Sequence, residues 1–454
     1  MKSFSYKVLI PLALLLFSFS NSAARKLPIG AYITSAKIHV IEDRPADAVA
    51  MLDSLFMFYG PHSQALGLMG QIMVDFVESK TTADEKSPYV TKMIAYFDTL
   101  KICCDNKDIK KKYRKNCSKL LEEADSTKVK YWREFYNRGI EQLNSVEEMS
   151  SEQKNTSDPD MLEFYTTSIA AKSDSSISNM KLAIQLDSTD HRPYVAVGSL
   201  FEKLDKFEDA IIWLDRAMAQ TEDSSSLLLS IAYDYINLNE YCKAAPFFSK
   251  FLIANPTDLS NASNLTICYI RCDMMDSARS VFEKMLAVDS ANPDALVGLG
   301  DFYRQEAGLT LKKASEISGD NPDQAIEIRE QANELFDKSA AYYEKLITIN
   351  PDSIRGHEEY ALINFIRGRY DIAATTYEKL SGMEPDNIEH WISLGDCRLT
   401  LQKFKEAIIA YEKVVEIDSE KRLIWERLSD LYAETRASAA KKAEAEKNLK
   451  RLSN

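Results

Sequence analysis

The residues best equipped for chemistry in this chain are five histidines, seven cysteines and many paired acids. His357-Glu358-Glu359 begins like the helix of a zinc protease. There, two histidines one turn apart hold the metal and the glutamate activates a water. The second histidine would have to stand at 361, which is Ala361. Without it the metal lacks a ligand. Gly298-Leu299-Gly300 opens like a dinucleotide loop, whose glycines let backbone approach a pyrophosphate. The third glycine and the preceding strand are both missing. No phosphate loop, nucleophile elbow or cysteine–histidine pairing stands out. Acid pairs such as Glu358 and Glu359 are expected on helix surfaces of so acidic a chain. The reading is therefore non-enzymatic, with no catalytic, cofactor or metal site.

The cysteines are Cys103, Cys104, Cys117, Cys242, Cys268, Cys272 and Cys397. Their odd number leaves at least one unpaired in a monomer. Cys103 or Cys104 with Cys117 would close a short disulfide loop in an oxidising compartment. Cys268 and Cys272 stand one helical turn apart, but zinc would need two more ligands at matching spacing. Cys242, Cys268, Cys272 and Cys397 read as buried structural thiols.

Residues 1–24 read as a secretory signal peptide. Lys2 and Lys7 form a basic start, Val8 to Phe19 an apolar run, and Ser22, Ala23 and Ala24 a cleavage region. An apolar run of about a dozen residues is short for a bilayer. An uncleaved anchor is the alternative. No cysteine follows to carry a lipid, and no later stretch is long and apolar enough to span a membrane. The expected location is periplasmic or secreted. Removing Lys2 and Lys7 takes the net charge from −13 to −15. Such a chain is poorly suited to nucleic-acid phosphates, which need a basic face. The basic run Lys110 to Lys112, with Arg114 and Lys115, reads as the polar face of a helix.

Elements that could position any site must be helical, because glycine and proline are scarce, at 14 and 13. They also repeat. Ala210, Ala244 and Ala278, then Ala373 and Ala407, recur 34 residues apart within each group. Twelve residues earlier stand Gly198, Ala232, Thr266, Ala361 and Gly395. Four later stand Leu214, Phe248, Phe282, Tyr377 and Tyr411. Seven later stand Ala217, Phe251, Met285, Leu380 and Val414. Pro256, Pro351 and Pro385 close units. Small residues let two helices cross closely, and large ones fill the space between stacked hairpins.

This pattern resembles the tetratricopeptide repeat, most clearly through Trp391, Leu394, Gly395, Ala407 and Tyr411. The resemblance implies an all-α, right-handed superhelix of about nine hairpins, with units at 29–62, 63–102, 129–190, 191–224, 225–258, 259–292, 293–353, 354–387 and 388–421. It divides the mature chain into divergent hairpins and a linking segment (25–128), a regular array (129–421) and a capping helix (422–454). Units 129–190 and 293–353 are oversized. For the second, both helices are expected to lengthen. For the first, a polar loop around 150–159 is an equal alternative.

In this repeat family, ligands lie along outward positions of first helices. Carried over, these are Leu229, Tyr233, Ile236 and Asn237; Ile267, Ile270 and Arg271; Val297, Asp301, Arg304 and Gln305; Leu362, Phe365 and Ile366; Ile392, Asp396 and Leu399. Two apolar patches flank a polar centre, which suits a helix or extended peptide with apolar anchors. Packing against neighbouring repeats is the competing role. Arg271, Arg304 and Asn237 are too few for the family's clamp on acidic peptide termini. The resemblance thus implies a protein-binding scaffold, with a structural part of an envelope assembly as the alternative and a carbohydrate or small-molecule binder third.

Overall fold

A computed structural model describes residues 26–436 and 439–452. The signal peptide expected at 1–24 lies outside the described residues. Among those residues there are twenty α-helices, one short 3-10 turn at Lys111–Tyr113 and no strand. Two compact units divide the chain after Leu238.

The first unit holds α1 (Ile29–Ile41), α2 (Pro45–Tyr59), α3 (Ser63–Glu78), α4 (Ala83–Asp105), α5 (Cys117–Asn155), α6 (Pro159–Leu186), α7 (Arg192–Lys203), α8 (Phe207–Met218) and α9 (Ser225–Asn237). The second holds α10 (Tyr241–Ala254), α11 (Leu259–Arg271), α12 (Met275–Val288), α13 (Pro293–Ile317), α14 (Pro322–Ile349), α15 (Ile354–Ile366), α16 (Tyr370–Met383), α17 (Ile388–Thr400), α18 (Phe404–Ile417), α19 (Arg422–Glu434) and α20 (Ala439–Arg451). Within the second unit each helix packs on the one before and the one after it. That is the neighbour-on-neighbour stacking a repeat array requires.

The periodic positions do what their sizes demand. Ala210, Ala244, Ala278, Ala373 and Ala407 are all buried, as are Gly198, Ala232, Thr266, Ala361 and Gly395. A Cβ added to Gly395 would come within 2.4 Å of the Tyr411 ring. Glycine is therefore required there by close approach. First helices start on side-chain caps that satisfy otherwise orphaned amides. Asp258 accepts from the Asn261 amide, Asn292 from Ala295 and Ser353 from Gly356. The turns inside the hairpins carry a second period. Asp205, Asn239 and Asp273, then Gly368, Gln402 and Arg436, all have φ between 53° and 71°. A single left-handed residue reverses the chain between helices, and Asp, Asn and Gly tolerate it best.

Both oversized units are long helical hairpins. α5 runs through 129–155, so a loop begins only at Thr156 and is over by Pro159. The long loop open as an alternative for 150–159 is absent. Residues 117–128, expected in a linking segment, are the first turns of α5. Each long hairpin is pinned where an ordinary unit has a small–small crossing. Ser176 donates to the Gly139 carbonyl at 2.8 Å, and Ser339 to the Gly300 carbonyl at 2.6 Å. These pairs stand 37 and 39 residues apart instead of 12. The added length therefore projects beyond an unchanged crossing. The C-terminal segment is also more than one helix: α19 buries Trp425, Leu428 and Tyr432 like a first helix, and α20 packs on it.

Two disulfides are present. Cys104–Cys117 realises one of the two expected pairings and leaves Cys103 as a buried free thiol. Cys242–Cys272 corrects the expectation of two buried thiols. Stacking brings the start of α10 beside the end of α11, with Cα atoms 5.5 Å apart. Cys268, one turn earlier on α11, points into the core and stays free, as does Cys397. The Cys242–Cys272 bond spans 30 residues. Replacing both cysteines with serine should therefore cost about 3 kcal/mol of stability through freed chain entropy. Urea denaturation under non-reducing conditions would test this; unchanged unfolding in the double variant would exclude a stabilising role.

Candidate functional site

The site carried over from the repeat pattern lies on the first helices, and none of its residues is buried. On α9, in the first unit, Tyr233 and Asn237 are exposed while Leu229 and Ile236 are half-buried. In the second unit, Ile267, Ile270 and Arg271 are exposed on α11, and Leu362 and Ile366 on α15. Phe365 is different. It is half-buried, packs on the core around Ala373 and Leu380, and meets the Tyr370 ring edge-on at 5.3 Å. It therefore does packing work and is not a clean surface probe. Ile392 and Leu399 likewise lean on the core around Tyr411 and Trp425, and Val297 leans on that around Tyr343.

The expected polar centre is closed on itself. Asp301 accepts from the Tyr343 hydroxyl at 2.6 Å and pairs with Arg355 at 2.5 Å. Arg304 pairs with Glu359 at 3.0 Å. Burial pushes the Glu359 carboxyl above its ordinary range, and the Arg304 charge opposes this. The same device recurs later. Asp396 accepts from the Tyr411 hydroxyl and pairs with Arg427. Asp301 and Asp396 each follow the glycine of a crossing, so each carboxylate meets the tyrosine of its own second helix. These charges join neighbouring units. They leave Arg271, stacked over the Tyr241 ring at 5.7 Å, as the exposed cation of this set.

His357 has a structural duty. Its Nε2 lies 2.9 Å from the Pro351 carbonyl. Trp391 and Trp425 donate their indole N–H to Pro385 and Ser419, and Tyr194 its hydroxyl to Ser188. In every case a residue at the fourth position of a unit bonds the carbonyl six residues earlier, which locks the turn between units. His357 thus occupies an aromatic slot, and Ala361 fills the helix crossing.

Residues 365–421 match the family model described as Tetratricopeptide repeat. Over that segment the chain is built of tetratricopeptide repeats. The matched segment covers only α16 to α18 with their flanks; the buried small and large positions carry the same period through the units before it. No curated protein matches the chain significantly. Similar solved structures include a tetratricopeptide repeat protein from Parabacteroides merdae, at 18% identity over 64% of this chain and 98% of that one, with a TM-score of 0.30. The C-terminal part of a TPR repeat-containing protein from Cytophaga hutchinsonii shares 15% identity over 56% and 93%, with a TM-score of 0.40. MamA shares 17% over 44% and 95%, with a TM-score of 0.33.

Tetratricopeptide repeats are generally binding scaffolds and not catalysts, so the first helices are the surfaces to weigh. One group on them escaped sequence reading. Glu358 on α15, Glu384 at the end of α16 and His390 on α17 come together. In sequence Glu358 stands beside His357 and Glu359. Its spatial partner His390 lies 32 residues away. No local motif links them, although the near-34 spacing is the signal that places them on adjacent first helices.

Proposed function

We propose that the protein is an exported, non-enzymatic adaptor that binds a segment of a partner protein along the outward faces of its first helices. The carrying observation is the exposure of Ile267, Ile270, Leu362 and Ile366, between 39% and 48%, on α11 and α15. Large aliphatic side chains left in water at the ninth position of both units (Ile267, Leu362), and beside it at the twelfth of one (Ile270) and the thirteenth of the other (Ile366), suit the apolar anchors of a helix or extended peptide. Export is supported by the leader-like residues 1–24 and by the two disulfides, which persist in oxidising compartments. No described helix is long and apolar enough to cross a membrane.

A second reading, a structural part of an envelope assembly, is favoured by Leu309 and Ile326. They are 63% and 53% exposed on the long α13–α14 hairpin. One experiment separates the two. Wild type, a quadruple Ile267→Ser, Ile270→Ser, Leu362→Ser, Ile366→Ser variant and a deletion of 306–331 would each be used to capture partners from the native envelope fraction. The adaptor reading expects the quadruple variant to lose a partner that the deletion keeps. The reverse result would move the contact to the hairpin. A partner kept by all three would sink both readings.

A further inference from the structure

Glu358, Glu384 and His390 converge where one tetratricopeptide unit stacks on the next. One ligand-capable atom from each lies within 4.8 Å of the other two. His390 is only 4% exposed, whereas the Glu358 and Glu384 side chains are 45% and 41% exposed. The imidazole is therefore fixed in place and the carboxylates can move. Local structure sets the arrangement. Asn387 caps α17 by accepting from the Glu389 amide at 3.2 Å, and its side-chain amide donates to Glu384 Oε2 at 3.0 Å. That holds Glu384 beside the first turn of α17, which carries His390. Glu358 Oε1 reaches His390 Nε2 from α15 at 3.0 Å.

Two observations point beyond a structural bridge. His390 Nδ1 is fully buried and has no hydrogen-bond partner; Glu384 Oε2 is its nearest carboxylate oxygen, at 3.8 Å. A buried imidazole nitrogen left unsatisfied is costly. Moreover, among the described residues neither carboxylate is paired with a lysine or arginine. Two carboxylates beside one imidazole thus carry uncompensated negative charge.

We propose that Glu358, Glu384 and His390 form a binding site for a divalent transition-metal ion of the zinc class, bridging two successive units. Mixed imidazole and carboxylate donors suit such an ion better than calcium or magnesium, which prefer oxygen alone. Zinc takes these ligands at about 2.0–2.2 Å in a tetrahedron, so its ligand atoms lie at most about 3.6 Å apart. Small rotations of the two half-exposed glutamates meet that limit. Three protein ligands leave a fourth, water-filled position. The ion would tie α15, the end of α16 and α17 together.

The test uses the full chain stripped of metal and titrated with Zn²⁺ by calorimetry and with Co²⁺ by visible absorption. One equivalent should bind, with ligand-field bands for cobalt, and zinc should raise the melting temperature. A Glu358→Gln, Glu384→Gln double variant changes only half-exposed side chains and should still fold. It should bind at least about tenfold more weakly, and zinc should no longer shift its melting. His390→Gln should behave the same way. Absence of saturable one-equivalent binding in the wild type would overturn the proposal. So would binding retained by the double variant. Either result would leave the imidazole as a hydrogen-bonded bridge between carboxylates.

Discussion

Replacing Tyr411 with alanine should cost about 3–5 kcal/mol, as deletion of a buried aromatic ring does. The ring is fully buried and lies over Gly395, where nothing larger than hydrogen fits. Its hydroxyl donates to Asp396 at 2.5 Å and lies 3.2 Å from Arg427 on the following unit. Burial and the Asp396 hydrogen bond both push the phenol well above its ordinary pKa, so it stays a neutral donor. Phenylalanine keeps the ring but loses both the bond donated to Asp396 and the one accepted from Arg427, so Tyr411→Phe should cost about 1.5–3 kcal/mol. Leu423→Ala, at a 59% exposed position, should change little. Urea titrations followed by circular dichroism would rank the three. A Tyr411→Ala variant as stable as wild type would show that these units do not depend on the crossing.

Asp234 should make the protein less stable as pH rises. It is 2% exposed, its Oδ2 has no hydrogen-bond partner, and burial raises its pKa to about 7, helped by the nearby charge of Glu202. Glu202 is itself raised by burial, against hydrogen bonds from Ser199 and Ser230. The folded pKa lies above the ordinary 3.8, so between about 4 and 7 the folded state binds more protons than the unfolded one. Stability then falls as pH rises through that window, the reverse of a salt-bridged aspartate. At about 1.4 kcal/mol per pKa unit, the loss by pH 8 is on the order of 2–4 kcal/mol. Asp234→Asn should therefore be more stable than wild type at pH 8 and nearly equal to it at pH 4.5. Denaturation at both pH values would decide, and a variant less stable at pH 8 would show that the carboxylate is solvated or paired.

Much of the fold was legible because its determinants are local and periodic. Ala210, Gly198 and Leu214 announce a helix crossing by size alone, and each size class falls in the core where the period puts it. The projecting hairpins were legible by length. Their geometry was less so, since the polar segment 150–155 reads as a loop yet continues α5. A solvated polar helix and a polar loop have similar composition, and only packing of α6 along the preceding turns distinguishes them. The Gly139–Ser176 and Gly300–Ser339 pins could have been found by aligning serine with the small slot of ordinary units.

The outward positions on the first helices were legible as positions, but their roles were not. The repeat places Phe365 and Ile366 side by side, yet one packs on Tyr370 while the other faces water. Asp301 and Arg304 read as a polar centre open to a partner, and the fold spends them on Arg355 and Glu359. The sequence by itself determined the helical class, the 34-residue period and which residues of each hairpin are buried, because these follow from side-chain size at fixed helical spacing. Only the tertiary structure decided the Cys242–Cys272 bond, the closing of the polar centre and the meeting of Glu358, Glu384 and His390. Each depends on side chains from different units, and their distances are set by how one hairpin stacks on the next.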